Sequence, residues 1–349
     1  MAYTTVPKST AYFTPTLYTG NATGRTISGV GFQPDWSWIK NRSDTSGHRL
    51  LDAVRGATKE LISNATNAEA TEAQSLQSWN SDGFVLGTAA GVNANTNNFV
   101  AWNWKANGQG SSNTDGTINT TYTSASTTSG FSISTYTGTG ANATVGHGLG
   151  VAPKMIIVKR LDVTSSWRIY HASIGANYNL VFTTSGFQTS STMWNNTAPT
   201  SSVFNLGSYD EVNGSSAPHV AYCFADVQGF SKFGSYIGNG NANGTFVYTG
   251  FKPAFVMTKN YADSGGASNN GGNWRMFDTK RLGYNVNNAT LYPNLSNAEA
   301  NETSLDLLSN GFKFRGTSAD YNQSGSKYVY MAFAEEPLVS TNGNAATAR

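Results

Sequence analysis

The chain has 349 residues, 22 of them basic and 20 acidic, for a net charge of +2, and charged side chains make up 12% of it, about half of the roughly 25% usual in globular proteins. So even a balance supplies no electrostatic footprint for nucleic acid. No 18 apolar residues run together to span a membrane, and a single cysteine, Cys223, excludes an intrachain disulfide. The polar surface must then come from Asn, Thr, Ser and Gly, a composition that suits a β-rich protein.

The N-terminal segment, 1–15, has no basic stretch leading into an apolar one, so no signal peptide is expected. A first unit, 16–106, opens on an aromatic and Gly/Asn-rich turn, "LYTGNATGRTISG" from 17, followed by "GVGFQPDWSWIKNR" from 29. Pro34 fixes the start of a strand there. Trp36 and Trp38 share one face, and Lys40 is expected at the strand's solvated end. "HRLLDAVRG" from 48 predicts a second strand, and 68–77, rich in Ala, Glu and Gln without Gly or Pro, predicts a short helix. "DGFVLG" and "FVAWNWKA" predict the last strands of the unit. In the latter Val100, Trp102 and Trp104 oppose Phe99, Ala101 and Asn103.

Residues 107–129, nearly all Gly, Ser, Thr and Asn, read as a linker. The same five features then return in order in 130–226, and again in 229–337, where 298–308 is the matching helical candidate. The lysines Lys40, Lys159 and Lys259 mark the register, 119 and 100 residues apart. Five features in one order, three times over, indicate tandem duplication, with 338–349 left as a C-terminal tail. Short alternating strands between Gly/Asn turns predict an all-β chain of tandem antiparallel sandwich or jelly-roll-like modules, with at most one short helix per module. Cys223, in "HVAYCFADV", reads as a buried small hydrophobe.

Chemistry is sparse. Four histidines, His48, His147, His171 and His219, show no metal-ligand spacing, no nucleophile elbow or phosphate loop is present, and no metal or cofactor is expected. A glycosidase would need paired carboxylates, and Asp52 with Glu69 and Asp278 with Glu299 recur in the first and third units. The spacing of Arg49 to Asp52 and of Arg275 to Asp278 favours structural ion pairs instead. Tyr18, Tyr136 and Tyr236, each before a Gly/Asn turn, and Trp167 and Trp274, each before a strand arginine, are candidates for stacking against sugar rings. Core packing is the competing reading for all five.

"GVGFQPDWSWIKNRS", "HRLLDAVRGATKEL", "FVAWNWKA" and "YVYMAFAEEP" together resemble tandem-repeat virion proteins of marine and cyanobacterial tailed bacteriophages, a family labelled tail fibre or structural protein. The second unit departs from the pattern, with His171 for the aspartate and Ile174 for the arginine. The resemblance implies a non-enzymatic virion component whose partners are other virion proteins. It implies a homo-oligomer, a trimer by preference, and brings no catalytic residues. A spike or fibre would offer loops to host-surface glycans, whereas a capsid decoration protein would bind none. The absence of a long heptad or triple-helical shaft weakens the fibre role.

Overall fold

The computed structural model describes residues 4–267, 271–281, 285 and 287–337, and the tail expected at 338–349 lies outside them. Almost every regular element is a strand, and all the named pairings are antiparallel. Each module carries an inner sheet with one strand order. In module 1 the order is Phe13–Thr19, Asn98–Trp104, Trp36–Asn41, Arg49–Asp52. Module 2 repeats it with Phe131–Thr137, Pro218–Phe224, Met155–Arg160, Arg168–His171, and module 3 with Ser231–Ile237, Lys327–Pro337, Phe251–Ala262, Arg275–Asp278. The closing strand of every module is thus a central strand of its sheet, which explains its apolar character on both faces.

A smaller outer sheet covers one face of each inner sheet: Arg25–Ile27 with Gly83–Leu86 and Leu76–Asn80 in module 1, Ala143–Gly146 with Val203–Leu206 in module 2. In module 3 it grows to four strands, Phe246–Tyr248, Gly311–Phe314, Ala300–Leu308 and Asn287–Thr290. The period of two then sorts side chains between two cores. On the closing strand of module 1, Phe99 and Ala101 point to the local core under the outer sheet, while Val100, Trp102 and Trp104 point the other way.

That other way is a shared interior. Trp36, Trp38, Trp102 and Trp104 meet Phe131, Ile157, Tyr222 and Phe224 of module 2 and Phe255, Met257, Met331 and Phe333 of module 3 in one continuous cluster. Trp36 stacks on Tyr222 at 4.6 Å, Trp104 meets Phe333 edge-on at 5.6 Å, and Phe224 meets Phe333 at 6.1 Å. The three inner sheets therefore surround a common axis, and the chain closes a pseudo-threefold ring.

Three sequence expectations change here. Residues 68–77 and 298–308 are not helices: Ala70–Thr71 and Leu76–Asn80 are strands, and Ala300–Leu308 is a nine-residue strand whose pairing with Gly311–Phe314 overrides its propensity. The α-helical turns are instead Ala90–Asn93 and Asp210–Asn213, just before the closing strands. The stretch 107–129 is no free tether, because Tyr122–Ser126 adds an edge strand to the inner sheet of module 2 and Asn107 N donates to Ser124 Oγ. Cys223 is fully buried, as expected, and burial pushes its thiol pKa up.

Candidate functional site

At one end of the axis, equivalent loops of the three modules converge on a cavity of about 290 Å³. Its wall is formed by Ser63–Thr66 of module 1, Val181–Thr184 with Trp167 of module 2, and Asn294 and Leu295 of module 3, and Phe182 seals its floor. Trp38, Trp167 and Trp274 surround Phe182 with ring centroids 5.7, 5.9 and 5.2 Å away. The indole N–H of Trp167 donates to the Ile62 carbonyl of module 1 at 2.9 Å, and that of Trp274 to the Val181 carbonyl of module 2 at 2.8 Å. His48 holds the same place in module 1. Its Nδ1 accepts from the Trp38 indole at 2.9 Å, and its other edge is drawn toward the Tyr292 carbonyl of module 3 without closing a regular hydrogen bond.

The register lysines brace this end from inside. Lys40, Lys159 and Lys259 are fully buried, which corrects the expectation of a solvated strand end. Lys159 Nζ donates to Ser165 O at 2.7 Å and across the junction to Thr66 O at 3.1 Å. Lys259 Nζ donates to Gly272 O at 2.6 Å and across to Thr183 O at 3.1 Å, while Lys40 is caged by the carbonyls of Asn41 and Asp44. Burial lowers all three pKa values, to about 8 for Lys40 and Lys159 and about 7 for Lys259. These ammonium groups satisfy loop carbonyls that would otherwise be buried without donors. No titratable side chain lines the cavity, and three of its polar side chains are engaged in the fold: Ser63 Oγ donates to Pro293 O, Asn64 Oδ1 accepts from His48 N, and Asn294 Oδ1 from Trp274 N. The axial cavity therefore offers apolar packing with hydroxyl and amide hydrogen-bonding groups.

The carboxylates lie deeper, at the junctions. Asp52 does not pair with Arg49: its partner is Arg55, at 2.5 Å, and Arg49 reaches Glu60 at 3.3 Å. Likewise Asp278 binds Arg281 at 2.6 Å, while Arg275 is held by Glu302 and by Asp320 at 2.6 Å. The expected pairing fails because side chains three apart on a strand point to opposite faces, whereas the turn after each aspartate folds Arg55 and Arg281 back onto it. The same arginines reach Glu69 at 2.9 Å and Glu299 at 3.1 Å. A guanidinium thus stands between the two carboxyls of each glycosidase candidate pair, where a sugar and a water would have to sit. The Asp-x-x-Arg-Gly spelling carried this signal in the sequence.

Each aspartate also receives a neighbour. Tyr222 of module 2 donates to Asp52 Oδ2 at 2.8 Å, and Trp102 of module 1 donates to Asp278 Oδ2 at 2.9 Å. At the third junction His171 replaces the aspartate, Ile174 the arginine and Met331 the ring donor. His171 Nε2 lies 3.3 Å from the Tyr330 carbonyl instead. A second ring of bonds runs through the backbone, Glu69 N to Leu161 O, Phe187 N to Tyr261 O and Glu299 N to Arg42 O, each joining two modules.

Four of the five aromatic glycan candidates are buried, and the fifth is partly covered, its ring stacked on Phe99 at 5.1 Å. Trp167 and Trp274 are buried at the axis, Tyr136 and Tyr236 are buried, and Tyr18 is half-buried. The tyrosine hydroxyls donate to Val92 O, Val212 O and Tyr321 O at 2.7 to 2.8 Å. Each tyrosine pins a corner that an asparagine, Asn93, Asn213 or Asn322, fastens from within by donating to carbonyls and accepting the N–H of Asn21, Thr139 or Asn239. The glycine two residues after each tyrosine is required by close approach: a Cβ on Gly20, Gly138 or Gly238 would lie 2.1, 2.4 or 2.3 Å from a corner carbonyl oxygen. These asparagines escaped the sequence reading because they look like surface turn residues in an Asn-rich chain. Among the described residues no three His, Cys, Asp or Glu side chains stand together as a metal site, and no helix is long and apolar enough to cross a membrane.

The model of a domain of unknown function, DUF7483, matches residues 8–337, and the chain belongs to that family. The match runs through all three modules, so the family is defined on the whole ring and not on one repeat. No curated protein matches the chain.

Proposed function

We propose that the protein is a virion structural component of a tailed bacteriophage, a compact spike-type module exposed on the particle. The observation that carries this reading is where the buried polar chemistry goes. The caged lysines, the Asp–Arg–Glu clusters and the indole N–H groups at the axis lock modules to one another or hold loops in place. Such an arrangement suits a scaffold that must keep its shape. The chain already buries a threefold interior by itself, so the role does not require a trimer, and the three modules closed into one ring suit a globular spike or a capsid decoration better than an extended fibre.

Quantitative mass spectrometry of purified particles is the test. A few tens of copies per particle support the spike and hundreds support decoration, while absence from purified particles overturns the virion role altogether.

A further inference from the structure

Three positions of module 3 break the likeness among the modules, and all are at the surface. The register places Thr19, Thr137 and Ile237 at equivalent ends of the first inner strand. It likewise places Thr26, Thr144 and Phe246 together on the outer edge strand, with Ser28, Gly146 and Tyr248 two residues on. The inward residue between them stays apolar throughout, as Ile27, Val145 and Val247. Ile237, Phe246 and Tyr248 are 59%, 44% and 49% exposed, and make up half of the six large apolar side chains exposed among the described residues. Two sibling modules fold with Thr, Ser or Gly there, so packing does not demand these side chains.

Of the three, Tyr248 borders a groove of about 500 Å³ that the turn at Asp226–Gly229, Ser231 and Lys232 form with Tyr248–Gly250, within the roughly 300–1,000 Å³ of small-molecule sites, and Phe246 stands two residues before Tyr248 on the same strand. Tyr248 forms one wall, and Asp226, Gln228, Ser231, Lys232 and Thr249 supply the polar lining. Lys232 is likewise particular to module 3, standing where Thr14 and Ser132 stand in the others. Its ammonium donates to the Tyr248 carbonyl at 3.1 Å and lies 5.3 Å from the centre of the Tyr248 ring, holding the edge strand in place. The Phe246 ring reaches within 3.1 Å of where a Cβ on Gly311 would be, so the glycine there leaves the ring its place.

We infer that this groove is a saccharide-binding site. A sugar ring offers an apolar C–H face and a rim of hydroxyls. The exposed Tyr248 ring matches the first, extended by Phe246 two residues away on the same face of the strand, while the Asp226 carboxylate, the Gln228 amide and the Lys232 ammonium match the second. Binding itself stands apart from the virion role. Only the identification of the saccharide as a host-surface glycan rests on that reading.

The full chain is applied to an array of bacterial surface oligosaccharides beside Phe246→Thr and Tyr248→Ser, each of which copies a sibling module. At least one oligosaccharide is expected to be retained by the parent protein, and each variant loses at least about tenfold of that binding while its melting temperature stays unchanged. An array with no retained oligosaccharide overturns the site, as does binding that both variants keep. Concentration-dependent self-association that both variants abolish, with no glycan retained, overturns it in favour of a self-interface. A silent array from a protein found in purified particles removes the groove alone, and glycan binding by a protein absent from particles removes the virion role alone.

Discussion

The junction where Trp102 meets Asp278 and the one where His171 meets Tyr330 occupy equivalent places, yet one is ionic and the other neutral. At the first, a buried carboxylate needs both a guanidinium and an indole N–H to offset its lost hydration. At the second, removing the carboxylate removes the need for either, and Ile174 and Met331 fill the space while a neutral imidazole faces a backbone carbonyl. Donor and acceptor have changed together although they lie in different modules. The repeats must therefore be read as one assembled ring, since a substitution that looks isolated in module 2 is answered in module 3.

Breaking the ionic junction carries the largest expected effect. Asp278→Ala leaves the Trp102 indole without its acceptor and takes from buried Arg281 the nearer of its two carboxylates, and denaturant unfolding should show a loss of about 3 to 5 kcal/mol. Acid attacks the neutral junction instead. Burial lowers the His171 pKa to about 4, below its unfolded value of about 6.5. The unfolded chain therefore takes up the proton first as pH falls. Stability from this group is complete above pH 6.5 and drains by up to about 3 kcal/mol toward pH 4, and His171→Gln should flatten that part of the pH profile in urea midpoints.

Transplanting one junction into the other sharpens the comparison. His171→Asp alone should cost about 2 to 3 kcal/mol, because the new carboxyl meets neither arginine nor ring donor. Adding Ile174→Arg and Met331→Trp should recover at least half of that in a mutant cycle, and simple additivity of the three changes would refute the coupling. Lys259→Met should lose about 1 to 2 kcal/mol by orphaning the Thr183, Gly271 and Gly272 carbonyls. Smallest is Arg42→Ala. Its pair with Glu299 at 2.8 Å joins modules 1 and 3 in a partly solvated place, and Glu299 keeps Arg281, so thermal unfolding should register about 1 kcal/mol.

The all-β class, the three repeated units and the alternation of Trp36, Trp38 and Trp102 were legible because a strand's period of two and a Gly/Asn turn are local patterns. So was the odd chemistry of module 2, since His171 and Ile174 stand out against their counterparts. What the tertiary structure alone decided was which face of each sheet met the other modules. That choice buried Lys40, Lys159 and Lys259 together with Tyr136, Tyr236, Trp167 and Trp274, and gave Asp52 and Asp278 partners from across a junction. It also turned Ala300–Leu308 into a strand and left Phe246 and Tyr248 outside. The reason is physical: propensity and periodicity act over a few neighbouring residues, whereas burial and hydrogen-bond satisfaction are settled between strands far apart in the chain, Trp102 and Asp278 being 176 positions apart.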